Sequence, residues 1–123
     1  MAYSLTGASN ATPVPVAGLS VPVVGTGRPL WAVFTGRVAH DTAWRQIVVQ
    51  IALDGVPIRR TEFTEPTTNQ WFVGILDTVI DPDVLPMGVE GTVTVLVSNP
   101  SGMGTSYVGG DALGTSDLKV VEL

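Results

Sequence analysis

The stretch Gln46–Thr64, which reads QIVVQIALDGVPIRRTEFT, decides the fold of this chain. Its two halves are rich in Val, Ile and Thr, and the dipeptide Asp54-Gly55 separates them. A two-residue type I′ turn needs a positive φ at both of its central positions, which Asp and Gly adopt more readily than most residues. The pattern therefore predicts a tight hairpin between two antiparallel strands, Arg45–Leu53 and Val56–Thr64.

Short runs rich in β-branched and aromatic residues continue on both sides of this hairpin, separated by Gly, Pro, Asn and Asp. No run has the spacing of a helix. Pro82 and Pro86 predict an ordered loop near residues 80–88, because proline cannot donate a hydrogen bond to a β-ladder. About eight strands and no helix predict an all-β fold, an antiparallel β-sandwich of the jelly-roll type. The six strands predicted outside the hairpin are Leu19–Val24, Leu30–Val38, Asn69–Val79, Gly91–Asn99, Thr105–Val108 and Leu118–Leu123.

The N-terminal segment differs in composition from the rest of the chain. Residues 1–16 are rich in Ser, Thr, Ala, Asn and Pro, and the alternation of Pro and Val over residues 12–16 favours an extended backbone. We predict an extended N-terminal arm over residues 1–18 and one jelly-roll domain over residues 19–123. The arm has too few apolar residues to join a core, so we predict that its larger apolar side chains anchor it to a partner; the alternative is a frayed terminus. These side chains are Tyr3, Leu5, Val14 and Val16.

Composition and charge exclude several classes of function. The chain has 123 residues, no Cys and 45% hydrophobic residues, which is enough for one core without a disulfide or a metal. With 6 basic and 11 acidic residues and a net charge of -5, it lacks the positive surface that nucleic-acid binding requires. No signal peptide and no apolar stretch of about 18 residues is evident, so we expect synthesis in the cytoplasm and no membrane partner.

Three of the predicted strands are apolar on both faces. In the strand Arg45–Leu53, Val48 and Ala52 share the face opposite to the Ile and Leu residues, and the strands that contain Trp31 and Trp71 are likewise apolar at successive positions. An antiparallel sheet with one solvent-exposed face would show polar residues there. Because a short chain has few residues left for covering loops, we expect these faces to be buried in a homo-oligomer, with both Trp residues as anchors.

No polar cluster has the spacing of a known catalytic site. His40 and Asp41 are adjacent, as in half of a base-activated nucleophile, yet His40 is the single His of the sequence and no Gly-x-Ser-x-Gly motif is present. We therefore interpret His40 as a polar turn residue and expect neither enzymatic activity nor a cofactor. Trp44 lies in a polar stretch and is the best candidate for an exposed ring. Together with Asp41 and Tyr107 it forms a candidate exposed binding loop.

The second half of the chain contains a segment of about 14 residues that carries four carboxylates. They belong to Asp77, Asp81, Asp83 and Glu90. Oxygen ligands of this type suit Ca²⁺, but the set lacks the Asp-x-Asp-x-Asp-Gly spacing and the closing Glu of a calcium-binding loop. A solvated acidic loop is the favoured interpretation, and a structural Ca²⁺ ion stays open.

Four segments of the chain carry a resemblance to a known family. They are VGTGRPLWAVF at residues 24–34, VVQIALDGVP at 48–57, LPMGVEGTVTVLV at 85–97 and DLKVVEL at 117–123. Together they resemble the small trimeric jelly-roll domains of tailed-phage virion proteins, which share their topology with tumour necrosis factor and the globular head of complement. The chain departs from the family pattern at Met87, where the family usually has Ala. The resemblance spans roughly residues 21–123.

The resemblance implies a homotrimer and a place in a virion. In this family the last strand lies near the threefold axis. Since a short arm rather than a fibrous shaft precedes the domain, the chain resembles a capsid decoration protein, whose partner is the major capsid protein on the outside of the phage head. A tail-associated or receptor-binding jelly roll that recognises a host-surface glycan or protein is the alternative. Together with the two Trp anchors inferred above, the last strand completes the predicted trimer interface, which comprises Trp31, Trp71, Leu118, Val120, Val121 and Leu123.

Overall fold

The chain folds into two antiparallel β-sheets in a computed structural model that describes residues 5–64, 66–109 and 116–123. The sheets enclose one core, so the predicted antiparallel β-sandwich is confirmed. No helix in these ranges is long and apolar enough to cross a membrane. The strands within the same ranges are β1 (Leu5–Ala8), β2 (Val14–Val24), β3 (Leu30–His40), β4 (Gln46–Leu53), β5 (Val56–Thr64), β6 (Phe72–Ile80), β7 (Glu90–Ser98), β8 (Ser106–Gly109) and β9 (Asp117–Glu122).

The strand order is that of a jelly roll. The first sheet has the order β1-β8-β3-β6, with β9 also paired to β3, and the second has the order β2-β7-β4-β5. Strands β8 and β9 lie one after the other along β3, since Gly109 pairs with Arg37 and Asp117 pairs with Thr35. Ser116 fixes this junction, because its Oγ donates to the carbonyl of Gly109 (3.0 Å) and accepts from the N–H of Arg37 (3.3 Å). Strands β8 and β9 thus act as one interrupted strand of the jelly roll.

All the predicted strands are present, as β2 to β9. The hairpin of β4 and β5 pairs in antiparallel register, and its turn residues Asp54 and Gly55 have φ angles of 51° and 81°, as a type I′ turn requires. The loop predicted around Pro82 and Pro86 is also present. Leu85 within that loop is 4% exposed and closes one end of the core.

The segment predicted as an N-terminal arm forms strands of the sandwich from Leu5 onward. Strand β1 pairs with β8, while β2 begins at Val14, earlier than predicted, and pairs with β7. Val16 is 3% exposed, so the prediction that residues 1–18 stay outside the core does not hold. The prolines of this segment are compatible with a strand because β2 lies at the edge of its sheet, where a missing N–H interrupts no ladder. Tyr3 lies outside the described residues.

The core lies between the sheets and follows the alternation of side chains along each strand. In β4 the inward residues Ile47, Val49 and Ile51 are fully buried, and Phe34 of β3 is fully buried opposite them. Burial of a side chain of this size stabilises the folded state by about 1.5 to 3 kcal/mol. These four residues therefore contribute to the attraction that holds the two sheets together.

The outward face of β4 is covered by the chain itself, which differs from the predicted burial in an oligomer. Val48 and Ala52 point away from the core, yet they are 2% and 0% exposed. Val48 lies in the ladder between Glu62 of β5 and Ser98 of β7. On such a face, the methylene groups of a long charged side chain such as that of Glu62 can cover an apolar neighbour. By contrast, Trp31 of β3 and the outward residues Val73, Ile75 and Val79 of β6 are exposed.

Loops cluster at the two ends of the sandwich. The His40 end, named after the last residue of β3, carries the loops that follow β1, β3, β5 and β7. The Leu30 end, named after the first residue of β3, carries the loops that follow β2, β4 and β6. These two ends and the outward face of the first sheet are exposed surfaces that can meet a partner.

Candidate functional site

The outward face of the first sheet carries a continuous apolar surface. Trp31 lies in register between Val79 of β6 and Val121 of β9, and these three side chains are 38%, 48% and 46% exposed. Ile75 and Val73, further along β6, are exposed as well. A surface of this kind on a soluble protein usually marks an interface. We call it the apolar face and define it by Trp31, Val33, Val73, Ile75, Val79 and Val121.

The charges on the apolar face balance. Four charged side chains share this face, the cations of Arg37 and Lys119 and the carboxylates of Asp77 and Asp117, whereas the whole chain carries -5. Asp77 Oδ2 accepts a hydrogen bond from Trp31 Nε1 (2.9 Å), and Lys119 Nζ lies 3.6 Å from Asp117 Oδ2. Two copies of the chain can therefore approach on this face without the repulsion that their net charge would cause elsewhere.

Four of the residues predicted for a trimer interface are accessible to a second copy. Trp31 and Val121 lie on the apolar face, and Leu123, directly after β9, is exposed. Trp71 precedes β6 and is half-buried. Its ring lies against that of Tyr107, with the two centroids 6.4 Å apart.

The other two predicted interface residues, Leu118 and Val120, point into the core. Leu118 is 7% exposed within the core cluster, and Val120 packs against that cluster. Successive side chains of a strand point to opposite faces, so β9 cannot present neighbouring residues to the same partner. The outward residues of this strand are Asp117, Lys119 and Val121 instead.

A hydrogen-bond network holds the loops of the His40 end together. The buried Asn99 side chain donates from Nδ2 to the carbonyls of Met103 (3.1 Å) and Gly104 (3.0 Å). Its Oδ1 accepts from Ser101 Oγ (2.8 Å) and lies 3.3 Å from His40 Nε2. The Asn99 side chain therefore closes the loop that follows β7 and ties it to the end of β3.

His40 ends β3 and is 1% exposed, so it is not the polar turn residue that the sequence predicts. Its Nδ1 accepts the backbone N–H of Thr42 (2.9 Å), which leaves Nε2 as the protonated nitrogen that donates to Asn99 Oδ1. In this tautomer the 3.5 Å approach of Asp41 Oδ1 to Nδ1 brings two acceptors together and is not an ion pair. Both ring nitrogens of His40 therefore serve to fix loops.

Trp44 is the exposed ring that the sequence predicts. Its side chain is 70% exposed, and its φ is 63°, a left-handed conformation that bulky residues rarely adopt. Asp41 fixes the loop, because its Oδ1 accepts from the N–H of Thr105 (2.8 Å) and the Oγ1 of Thr42 (3.2 Å). A strained conformation persists only where the surrounding structure imposes it, and it often marks a binding site.

The other two residues of the predicted binding loop are only half exposed. The Asp41 carboxylate accepts a hydrogen bond from the backbone of Thr105, and the Tyr107 ring lies against the ring of Trp71. Trp44 is therefore the one member of this set that is classed as exposed. Sequence patterns do not show that Met103, in the loop after β7, is exposed, nor that the buried Asn99 side chain holds that loop together. The only sequence signal for this loop is the run of turn-forming residues at positions 99–102.

The four clustered carboxylates do not come together. Asp77 bonds to a Trp on the apolar face, Glu90 pairs with Val24 of β2, and Asp81 and Asp83 lie in the loop after β6. In the part of the chain that the structure describes, no group of three His, Cys, Asp or Glu side chains is arranged to hold a metal ion.

Comparison with known proteins supports the fold. No family model matches the chain, and no curated protein matches it. A solved structure that is similar to it is the C-terminal domain of EclA, described as a sugar-binding protein, with a TM-score of 0.50 and 14% sequence identity. The match covers 97% of this chain and 79% of that chain. At this identity the similarity shows a shared β-rich fold.

Proposed function

We propose that this protein is a homotrimeric structural protein of a tailed-phage virion, a decoration protein on the outside of the capsid. The observation that carries the proposal is the apolar face, which is exposed in the single chain and has balanced charges. Soluble monomers rarely expose a contiguous apolar patch of this kind. In the proposed assembly, other copies of the same chain cover the patch around a closed threefold axis.

The threefold symmetry and the virion location rest on the resemblance of residues 21–123 to trimeric jelly-roll virion proteins. The partner in this proposal is the major capsid protein. A protein that binds the assembled shell but not its separate subunits stabilises the shell by mass action. This function requires neither a catalytic group nor a cofactor.

Two measurements test the two parts of the proposal. Sedimentation equilibrium at micromolar concentration should give three times the chain mass of 12.9 kDa. Purified protein added to phage heads that lack it should bind to saturation and raise the temperature at which the heads break open. A monomer in solution contradicts the trimer, and heads that bind no protein contradict the decoration function.

A second candidate function is recognition of a host-surface glycan through the loop that carries Trp44. The exposed Trp44 ring favours it, because an aromatic face packs against the apolar face of a sugar ring while the loop's polar groups meet its hydroxyls. The fold similarity to a domain described as sugar-binding agrees with this candidate.

Glycan binding can be tested with a panel of immobilised glycans. The variant Trp44→Ala should abolish binding, and Met87→Ala, which shortens an exposed side chain at the opposite end of the sandwich, is the matched control. Equal binding by the wild type and Trp44→Ala contradicts this candidate. Binding to glycans without binding to heads would favour it over the decoration function.

A further inference from the structure

The Leu30 end carries a second exposed apolar surface. Its large side chains are between 45% and 74% exposed, and they belong to Val24, Val56, Val84, Met87 and Val89. Met87, at 74%, is the most exposed large apolar residue in the described part of the chain. Several apolar side chains at one end of a domain indicate a contact surface rather than scattered exposure.

Backbone hydrogen bonds join the loop after β6, which carries Val84, Met87 and Val89, to the loop after β2. The N–H of Gly25 donates to the carbonyl of Val89, and the N–H of Gly88 donates to the carbonyl of Gly25, both at 2.8 Å. A Cβ at position 25 would overlap the carbonyl oxygen of Pro86, so the close approach of the loops requires glycine there. The surface is therefore ordered before a partner arrives, which lowers the entropy lost on binding.

The same end carries most of the net charge of the chain. Among the described residues, five carboxylates and one guanidinium lie there, which leaves -4 of the total of -5 at this end. The remaining charged residues of the sequence nearly cancel one another. The charged residues of the Leu30 end are Asp54, Asp81, Asp83, Glu90, Glu122 and Arg28.

An open cavity of about 540 Å³ joins the apolar and acidic parts of this end. Val24 forms part of its wall, and Asp54 and Glu90 contribute carboxylates to its lining. Asp54 is held in place, since its Oδ1 accepts the N–H of Thr92 (2.8 Å). A Lys or Arg side chain can lie along the valine with its methylene groups and place its charge beside the two carboxylates.

We propose that the Leu30 end is the surface by which this protein docks on the phage head, against a capsid surface that presents Lys or Arg around an apolar centre. The inference rests on the proposed decoration function. Of the residues predicted to make this contact through the arm, Val16 belongs to the core instead. Charge complementarity selects the partner, since an acidic surface would repel this end, while the apolar centre supplies most of the affinity.

Binding of purified protein to heads that lack it tests this surface. Met87→Ser should weaken binding by about tenfold, which is the loss expected when a large apolar side chain at an interface hot spot is removed. The double variant Asp54→Asn, Glu90→Gln should weaken binding similarly and reduce its dependence on salt. Met103→Ser, an exposed Met at the opposite end, is the matched control and should bind as the wild type does. Thermal melting and sedimentation of each variant verify that fold and assembly are intact.

The outcomes separate this inference from the proposed function. If the wild type binds heads, and the Leu30-end variants bind as tightly as the wild type, the docking surface is overturned while the decoration function stands. A loss in Met103→Ser as large as in Met87→Ser also overturns it. If the wild type binds no heads, the decoration function fails and this surface fails with it.

Discussion

Trp31 Nε1 donates a 2.9 Å hydrogen bond to Asp77 Oδ2, across the pair of β3 and β6. Asp77 lies opposite Val33 in the ladder, so the bond is a diagonal contact between neighbouring rows of the apolar face. It satisfies the indole N–H and restricts the ring before any partner arrives. An interface that includes Trp31 therefore loses less side-chain entropy on forming.

Val121→Asp is expected to dissociate the trimer. Val121 is next to Trp31 in the ladder, and a carboxylate there would be buried without a partner, which should weaken assembly by roughly a hundredfold or more. The free chain should keep its stability, because Val121 is 46% exposed in it. Sedimentation at micromolar concentration measures the effect. Val56→Asp, an exposed valine away from the apolar face, is the control, and an intact Val121→Asp trimer would contradict the proposed interface.

Leu118→Ala should act on the stability of each chain rather than on assembly. Leu118 is in the core, and truncation of a buried Leu to Ala costs about 2 to 5 kcal/mol of unfolding free energy. Urea denaturation measures this loss, with Lys119→Ala, at the adjacent outward position, as the control that should change stability by less than about 0.5 kcal/mol. Equal effects of the two substitutions would contradict the inward orientation of Leu118.

Asn99→Ala should loosen the His40 end. The substitution removes the donor to two backbone carbonyls and the acceptor for the buried His40 Nε2, at a cost of about 1 to 3 kcal/mol in unfolding free energy. Asn10→Ala, which removes an exposed turn bond to the N–H of Thr12, is the matched control. Urea unfolding distinguishes them, and similar losses would show that the Asn99 network contributes little.

Trp44→Asn should stabilise the fold while it removes the exposed ring. Asn adopts a left-handed conformation more readily than Trp, and relief of that strain should raise the unfolding free energy by about 0.5 to 1 kcal/mol. Little packing is lost, because the Trp44 side chain is largely exposed. A fall in melting temperature would mean that the indole makes contacts that outweigh the strain.

The sandwich could be predicted from sequence because its signals are local. Asp54 and Gly55 define a turn by their own conformational preferences, and the runs of β-branched residues define strands by theirs. The alternation at the start of β6 also predicted apolar side chains on both faces, and Val73 and Ile75 are indeed apolar and exposed on the outward face.

Other features depend on contacts between distant segments, and local patterns do not contain them. Val14 and Val16 alternate with proline and predict an arm, but β7 offers them an edge to pair with. His40 is adjacent to turn residues, yet it is buried because Asn99, far along the chain, comes to lie beside it. Leu118, in contrast, could have been assigned to the core by strand alternation alone.

The junction between β8 and β9 should tolerate an inserted peptide. Gly109 and Asp117 pair with positions of β3 that are almost adjacent, so the residues between them connect two segments that the β3 ladder already aligns. Doubling the length of such a connection costs only about 0.6 kcal/mol in loop-closure entropy. A foreign peptide inserted after position 112 should therefore leave the melting temperature nearly unchanged, and a large drop would show that the native connection stabilises the fold. If it is tolerated, the protein becomes a scaffold for peptide display.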